Sequence, residues 1–219
     1  MQPDFWLERW ARGETGFHLP TVNPHLQRHW PAFGLLPGAR VLVPLAGKSV
    51  DLAWLRAQGC MVTAVELSRH AADSLFADLG ETPQRTRTAD FEVFEVPGLR
   101  FFVGDFFRMT PALAGPLDAV YDRAALIALP ANLRPAYAAQ LTSLQRAGTR
   151  SLLVALEYPP TQMNGPPFTV TAAEIAALFG ASHTLEELAC EDILDAEPRF
   201  RARGVTQLVE RVFALRRRD

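Results

Sequence analysis

The sequence predicts an α/β fold, an open and mostly parallel sheet covered by helices on both faces. Three observations predict it. From residue 39 onward, short apolar runs alternate with segments of helical length and period. Some of those runs, such as Ser151–Leu156, are apolar without alternation, as in a strand buried on both sides. And 219 residues with 48% hydrophobic content fill one sizeable core, not two comfortable ones. The expected organisation is a single domain, residues 1–219, with an N-terminal covering segment (1–36) and a Rossmann-like core (37–219).

The elements follow in order. In DFWLERWARG, Phe5, Trp6 and Trp10 mark a helix face that ends at Gly13. Asn23 has the chemistry of an N-cap, with Pro24 at the first helical position and a helix through His25–Phe33. Pro37-Gly38 turns the chain into a strand at Val41–Leu45. A helix over Asp51–Gln58 points Leu52 and Leu55 inward and stops at Gly59. Met61–Val65 is the second strand and ends in Glu66; Arg69–Leu79 is a helix ending at Gly80. Phe91–Val96 and Leu99–Val103 form a hairpin or two short strands around Pro97-Gly98, after a polar stretch with no assigned element. Leu117–Tyr121 is a strand, Leu133–Leu144 a helix and Ser151–Leu156 a strand. Tyr158–Phe168 is a Pro/Gly-rich loop long enough to suggest function. Thr171 and Glu174 form a T-x-x-E capping box before a helix through Phe179. His183–Ile193 and Gly204–Leu215 complete the set as strands, and Arg216-Arg217-Arg218 reads as a solvated tail.

Composition narrows the function. A net charge of −2 and a pI near 6.2 give no footprint for a nucleic-acid partner. Two distant cysteines, Cys60 and Cys190, form neither a zinc motif nor a disulfide framework, which fits a reducing cytoplasm. The N-terminus lacks the pattern of a signal peptide, and no apolar run approaches the roughly 18 residues of a membrane span. His25 and His29 stand at i, i+4, but no third metal ligand accompanies them, so no metal is expected. The expected state is a monomer.

Pro44-Leu45-Ala46-Gly47-Lys48-Ser49 follows the first strand and ends like a phosphate-binding loop. A Walker A motif needs G-x-x-x-x-G-K-[ST], and Leu42 stands where its first glycine belongs. A phosphate-handling nucleotide enzyme is therefore the weaker alternative. What remains is a tight turn with one glycine, suited to a ligand without phosphates. Glu66 closes the second strand 19 residues beyond Gly47, the offset at which an acid takes ribose hydroxyls. Asp105 and Phe106 pair an acid with an aromatic ring, which suits either adenine recognition or a Gly-Asp turn beside a core phenylalanine. Asp122-Arg123 ends the next strand, where either a plain salt bridge or a site residue fits. Adenine, ribose and no phosphate clamp together point to S-adenosylmethionine as cofactor.

With these motifs in place, the chain resembles the bacterial thiopurine S-methyltransferases over essentially its whole length. The resemblance rests on Trp6-x-x-x-Trp10-x-x-x-x-Thr15-x-Phe17-His18, on Val43–Lys48, Val65–Ser68 and Tyr121–Leu126, and on Gly165-Pro166-Pro167-Phe168. It implies a class I methyltransferase fold: a seven-stranded sheet, its last strand antiparallel, with an N-terminal helical lid. It implies S-adenosylmethionine contacts for Trp10, Leu45, Glu66 and Arg123, with Gly47 in the same loop and Asp105 and Phe106 near the adenine. Phe17 would line the acceptor pocket, and His18 either joins it or is structural. Asp122, Arg123 and Arg199 would stabilise a thiolate or relay its proton, Arg123 equally by holding the cofactor. The acceptor would be a small aromatic or heterocyclic thiol, its sulfur attacking the sulfonium methyl in line. Selenium or tellurium compounds are further acceptors the family suggests.

Overall fold

The computed structural model describes residues 3–14 and 18–219. Phe17, with Thr15 and Gly16, lies outside the described residues. The chain divides into two compact units, Met1–Tyr121 and Asp122–Asp219.

In the first unit, α1 (Pro3–Ala11) precedes α2 (Pro24–His29). Asn23 caps α2, its side-chain oxygen accepting the amides of His25 and Leu26 at 2.9 and 3.2 Å. The expected helix does not continue unchanged to Phe33. Trp30–Phe33 tightens into a 3₁₀ turn, because Pro31 has no N–H to donate to an α-helical ladder. β1 (Arg40–Pro44), α3 (Asp51–Ala57), β2 (Met61–Glu66) and α4 (Arg69–Leu79) follow as expected. Then come β3 (Gln84–Arg87), β4 (Glu92–Val96), β5 (Leu99–Val103), the short α5 (Pro111–Ala114) and β6 (Ala119–Arg123), whose last two residues open the second unit.

The strand order here is β3-β4-β5-β2-β1-β6. β5, β2, β1 and β6 run parallel, whereas β3 and β4 extend the edge antiparallel. β1 lies between β2 and β6, so successive crossovers leave it in opposite directions. That is a topological switch point, and ligands of such sheets sit beyond the carboxyl ends of the strands beside it. One buried carboxylate ties this end together. Asp51, 2% exposed, accepts the Asn23 amide at 2.9 Å and the Tyr121 hydroxyl at 3.0 Å. It thereby fastens α2 and β6 to the start of α3.

In the second unit, α6 (Arg134–Ser143), β7 (Arg150–Glu157), α7 (Ala172–Phe179), β8 (His183–Asp192), α8 (Pro198–Arg201) and β9 (Val209–Arg217) follow. β9 pairs antiparallel with both β7 and β8, as expected of the last strand. It starts later than Gly204 and absorbs Arg216 and Arg217, which pair in register with Thr184 and His183; only Arg218 and Asp219 follow it. The described strands number nine, not seven, the surplus being β3 and β4. β6 also sits two residues later than expected, because Asp118 is spent bonding Arg40: its amide donates to the Arg40 carbonyl and its carboxylate accepts the Arg40 amide, both at 2.9 Å.

Candidate active site

The site of the first unit is built at the carboxyl ends of β1, β2 and β5. β1 ends in Pro44 and the chain turns at once. Leu45 takes φ +47 and Gly47 φ +54. A left-handed leucine costs on the order of 1 kcal/mol and persists only where its surroundings demand it. The glycine is needed for a second reason: a Cβ on Gly47 would stand 2.3 Å from His18 Nε2.

Two polar groups fix the turn. Glu66, 8% exposed at the end of β2, accepts the Gly47 amide through Oε2 and the Ser68 amide through Oε1, each at 2.9 Å. Burial pushes the Glu66 pKa up, and bonds from the Ser68, Gly47 and Leu67 amides pull against that shift. His18 Nε2 accepts the Lys48 amide at 2.9 Å, so the neutral ring carries its proton on Nδ1. Trp10, 3% exposed, lies with its ring centroid 5.0 Å from that of His18 and 6.0 Å from that of His70. α1 is thereby seated on the start of α4 and on the turn. Beyond β5, Gly104 has no room for a side chain, since a Cβ would meet the Asp90 carbonyl at 2.6 Å. Asp105 is exposed and its Oδ1 accepts the Phe107 amide at 2.9 Å. Phe106 is buried at 4%, while the neighbouring Phe107 ring is 39% exposed.

The phosphate-loop alternative fails on the same geometry. A phosphate needs free amides and a free ammonium in the turn. Here the Gly47 amide goes to a carboxylate, the Lys48 amide goes to His18, and the Lys48 ammonium pairs with Asp78 of α4 at 2.9 Å.

The second unit holds the other expected residues. Asp122 is 1% exposed. Its Oδ2 accepts the Tyr137 hydroxyl at 2.7 Å and its Oδ1 the Leu126 amide at 3.2 Å. Arg123 ends β6 and is half-buried. Arg199 stands on α8, half-exposed, its Nε donating to Glu197 at 2.8 Å and its guanidinium 5.5 Å from the Phe200 ring centroid. Phe200 belongs to a buried cluster with Tyr158, Met163, Leu194, Val205 and Leu208, so α8 is packed on the long loop after β7. That loop is itself pinned. Phe168 N–H donates to the Ile127 carbonyl at 2.7 Å and Tyr158 O–H to the Pro167 carbonyl at 2.7 Å. Gly165 has no room for a Cβ, which would stand 2.4 Å from the Phe168 ring.

Comparison with known proteins decides what this arrangement belongs to. The family model for thiopurine S-methyltransferase matches residues 1–218. The chain belongs to the thiopurine S-methyltransferase family. It is 49% identical to the thiopurine S-methyltransferase of Pseudomonas fluorescens (strain SBW25), over 98% of this chain and 99% of that one. It is equally 49% identical to the thiopurine S-methyltransferase of Xanthomonas campestris pv. campestris (strain 8004), over 99% and 100%. A methyltransferase from Geobacter sulfurreducens, solved with S-adenosylhomocysteine, shares the fold at a TM-score of 0.64 and 19% identity, over 97% of this chain and 98% of that one. The protein is a methyltransferase, and its cofactor is S-adenosylmethionine.

The turn after β1 suits that cofactor chemically. Glu66 accepts the Gly47 and Ser68 amides on different oxygens and keeps acceptor capacity for a hydroxyl donor, as a ribose supplies. Sequence reasoning missed the residues that brace these groups, Ser68, Tyr137 and Arg134. Arg134 is 3% exposed; it donates to the Leu129 carbonyl at 2.9 Å and to Glu174 at 2.7 Å. The expected capping box is therefore half built: Thr171 Oγ1 accepts the Glu174 amide at 3.1 Å, but the Glu174 carboxylate is turned to Arg134. Tyr137 and Arg134 carry no motif, and only the inward period of α6 marks them as buried.

Proposed function

We propose that this thiopurine S-methyltransferase family member transfers the methyl group of S-adenosylmethionine to the sulfur of small aromatic or heterocyclic thiols. Selenium or tellurium compounds are further acceptors in this reading. The observation that carries it is the turn after β1, where Glu66 braces the Gly47 amide and no phosphate can be held. Bound there, S-adenosylmethionine supplies a methyl already activated by its sulfonium.

The protein's residues then have little bond-breaking to do. Glu66 takes the ribose hydroxyls, Leu45 and Gly47 let the backbone approach closely, and Trp10 and Arg123 hold the cofactor's far end. Asp105 and Phe106 take the adenine. Phe17 lines the acceptor side, His18 steadies the turn beside it, and Arg199 favours thiolate over thiol by its charge. Alignment of the sulfur behind the methyl is the main catalytic contribution. An aromatic thiol ionises without a strong base, so no residue is assigned as one. The enzyme acts as a monomer, a single methyltransferase domain in the cytoplasm. Among the described residues no helix is long and apolar enough to cross a membrane.

The test is calorimetric titration with S-adenosylmethionine, then methyl transfer to 6-mercaptopurine and to selenite. Binding followed by S-methylation supports the proposal. Cofactor binding with no transfer to any thiol would overturn the acceptor assignment. Unchanged turnover in Arg199→Ala would remove Arg199 from the acceptor side.

A further inference from the structure

Among the described residues two non-glycines have positive φ, Leu45 and Ala124. Each stands directly after the carboxyl end of a strand, β1 for Leu45 and β6 for Ala124. Such backbone persists only where neighbours over-determine it, and it clusters at functional sites. At Leu45 the holding groups belong to the cofactor turn. At Ala124 φ is +65, and the holding group is Asp122.

The Asp122 carboxylate spans the turn from inside. It precedes Arg123 and Ala124, and its Oδ1 accepts the amide of Leu126 beyond them at 3.2 Å. The Ala125 amide bonds it as well. Its other oxygen accepts the Tyr137 hydroxyl at 2.7 Å. Asp122 is 1% exposed and Tyr137 0%. One turn of α6 earlier, Arg134 fixes the far end of the same connection through the Leu129 carbonyl. Two inward residues of α6 thus pin residues 122–129 at both ends. A carboxylate so enclosed cannot reach an acceptor molecule to relay its proton.

We propose that Tyr137 is a positioning residue for Arg123, acting through Asp122 to fix the turn that presents the Arg123 guanidinium to S-adenosylmethionine. This rests on the reading of Arg123 as a cofactor contact. The groups facing Asp122 are the Tyr137 hydroxyl from α6 and the Leu126 and Ala125 amides, all donors. Ionised, Asp122 accepts from all three; protonated, it carries a hydrogen that neither amide can take, and that hydrogen reverses or breaks the Tyr137 bond. Burial pushes its pKa up to about 6, against the pull of the Tyr137, Leu126 and Ala125 bonds. Burial and the neighbouring Asp122 push the Tyr137 pKa well up, so the phenol remains a donor at every relevant pH. Cofactor affinity should accordingly rise as pH rises through about 6.

The experiment is calorimetric titration of S-adenosylmethionine into wild type, Tyr137→Phe, Asp122→Asn and Arg123→Ala at pH 5 to 8. Tyr137→Phe is expected to bind about tenfold more weakly at pH 7, with its acid limb moved to higher pH because a bond favouring the carboxylate is gone. Asp122→Asn is expected to have no acid limb near pH 6. Wild-type affinity and limb in Tyr137→Phe, even with a lowered melting temperature, would reduce Tyr137 to a core residue and overturn the proposal. If Tyr137→Phe does not fold, an acid limb kept by Asp122→Asn overturns it instead. Wild-type affinity in Arg123→Ala removes the reading of Arg123 and this inference together. Weak binding by Arg123→Ala alone removes only the inference.

Discussion

His18 Nε2 accepts the Lys48 amide at 2.9 Å, and its ring lies so close to the turn that a methyl at Gly47 would stand 2.3 Å from the same nitrogen. One imidazole therefore joins the N-terminal segment to the turn after β1, with Trp10 packed against it. Gly47→Ala must either displace the ring or shift the turn, and it adds left-handed strain at φ +54. The prediction is a loss of about 1–2 kcal/mol in stability and at least tenfold in S-adenosylmethionine affinity. Differential scanning fluorimetry and calorimetry check both. Wild-type affinity in this variant would remove the turn from the cofactor site.

Glu66→Gln tests the brace itself. The two side chains have the same shape, but an amide presents one acceptor and one donor. Glu66 receives an N–H on each oxygen, from Gly47 and from Ser68, so the Gln NH₂ group must face one of those donors. The expected cost is about 1–3 kcal/mol, read by urea denaturation, together with a marked loss of cofactor affinity. A variant as stable as wild type would mean that the buried carboxylate is not held as the geometry has it.

Lys48 gives the contrasting case. It is the chain's only lysine, yet its ammonium sits in a partly exposed pair with Asp78, the side chains 31% and 61% accessible. Exposed pairs contribute about 0–1 kcal/mol. Lys48→Met should leave S-adenosylmethionine affinity within about twofold and stability within about 1 kcal/mol. A large loss of cofactor affinity would return the lysine to the ligand site.

Arg134→Met should be the most damaging of the surface-remote changes. The guanidinium is 3% exposed and satisfies the Leu129 carbonyl and the Glu174 carboxylate at once. Removing it leaves the Glu174 carboxylate, 30% accessible, to rehydrate, and the Leu129 carbonyl without its donor, at a cost of about 1–3 kcal/mol. Chemical denaturation should show it, and adding Glu174→Gln should recover only part, because the Leu129 carbonyl stays unpaired. Full recovery would place the whole effect in the ion pair.

These residues also mark how far the sequence could be read. The parallel strands were legible because burial on both faces leaves unbroken apolar runs, as in Val41–Val43. Glu66 and Gly47 were legible because a strand–turn–helix fixes their spacing. β3 was not: Gln84-Arg85-Thr86-Arg87 is fully exposed, and only its backbone pairing with β4 makes it a strand. Arg85 covers the buried Phe94 with its guanidinium 4.7 Å from the ring centroid, a contact that no periodicity encodes. Asp122 was legible as a carboxylate at the end of a strand, but its enclosure by Tyr137 was not, because 15 residues separate the two in sequence. Lys48 drew attention by its neighbours in sequence, while its partner Asp78 lies 30 residues away.

Asp122 makes a prediction about stability whose sign differs from that of a surface carboxylate. Its folded-state pKa, about 6, stands above its ordinary value of 3.8. Between those values the folded protein holds a proton that the unfolded chain has lost. Stability attributable to this group therefore falls as pH rises from about 4 to 6, by an amount on the order of 1–3 kcal/mol, and is flat beyond. Glu66, also pushed up by burial, acts in the same direction, so wild type must be compared with Asp122→Asn rather than read alone. Urea denaturation of both at pH 4, 5, 6 and 7 should show wild type losing stability relative to the variant up to pH 6 and not above it. A relative gain over that window would mean that Asp122 is a stabilised carboxylate with a lowered pKa, as in an ordinary salt bridge. Cofactor affinity is expected to move the other way through the same window, because only the ionised carboxylate accepts from Tyr137, Leu126 and Ala125 together. Apo-protein stability falling while S-adenosylmethionine affinity rises is a signature that a purely structural aspartate would not give.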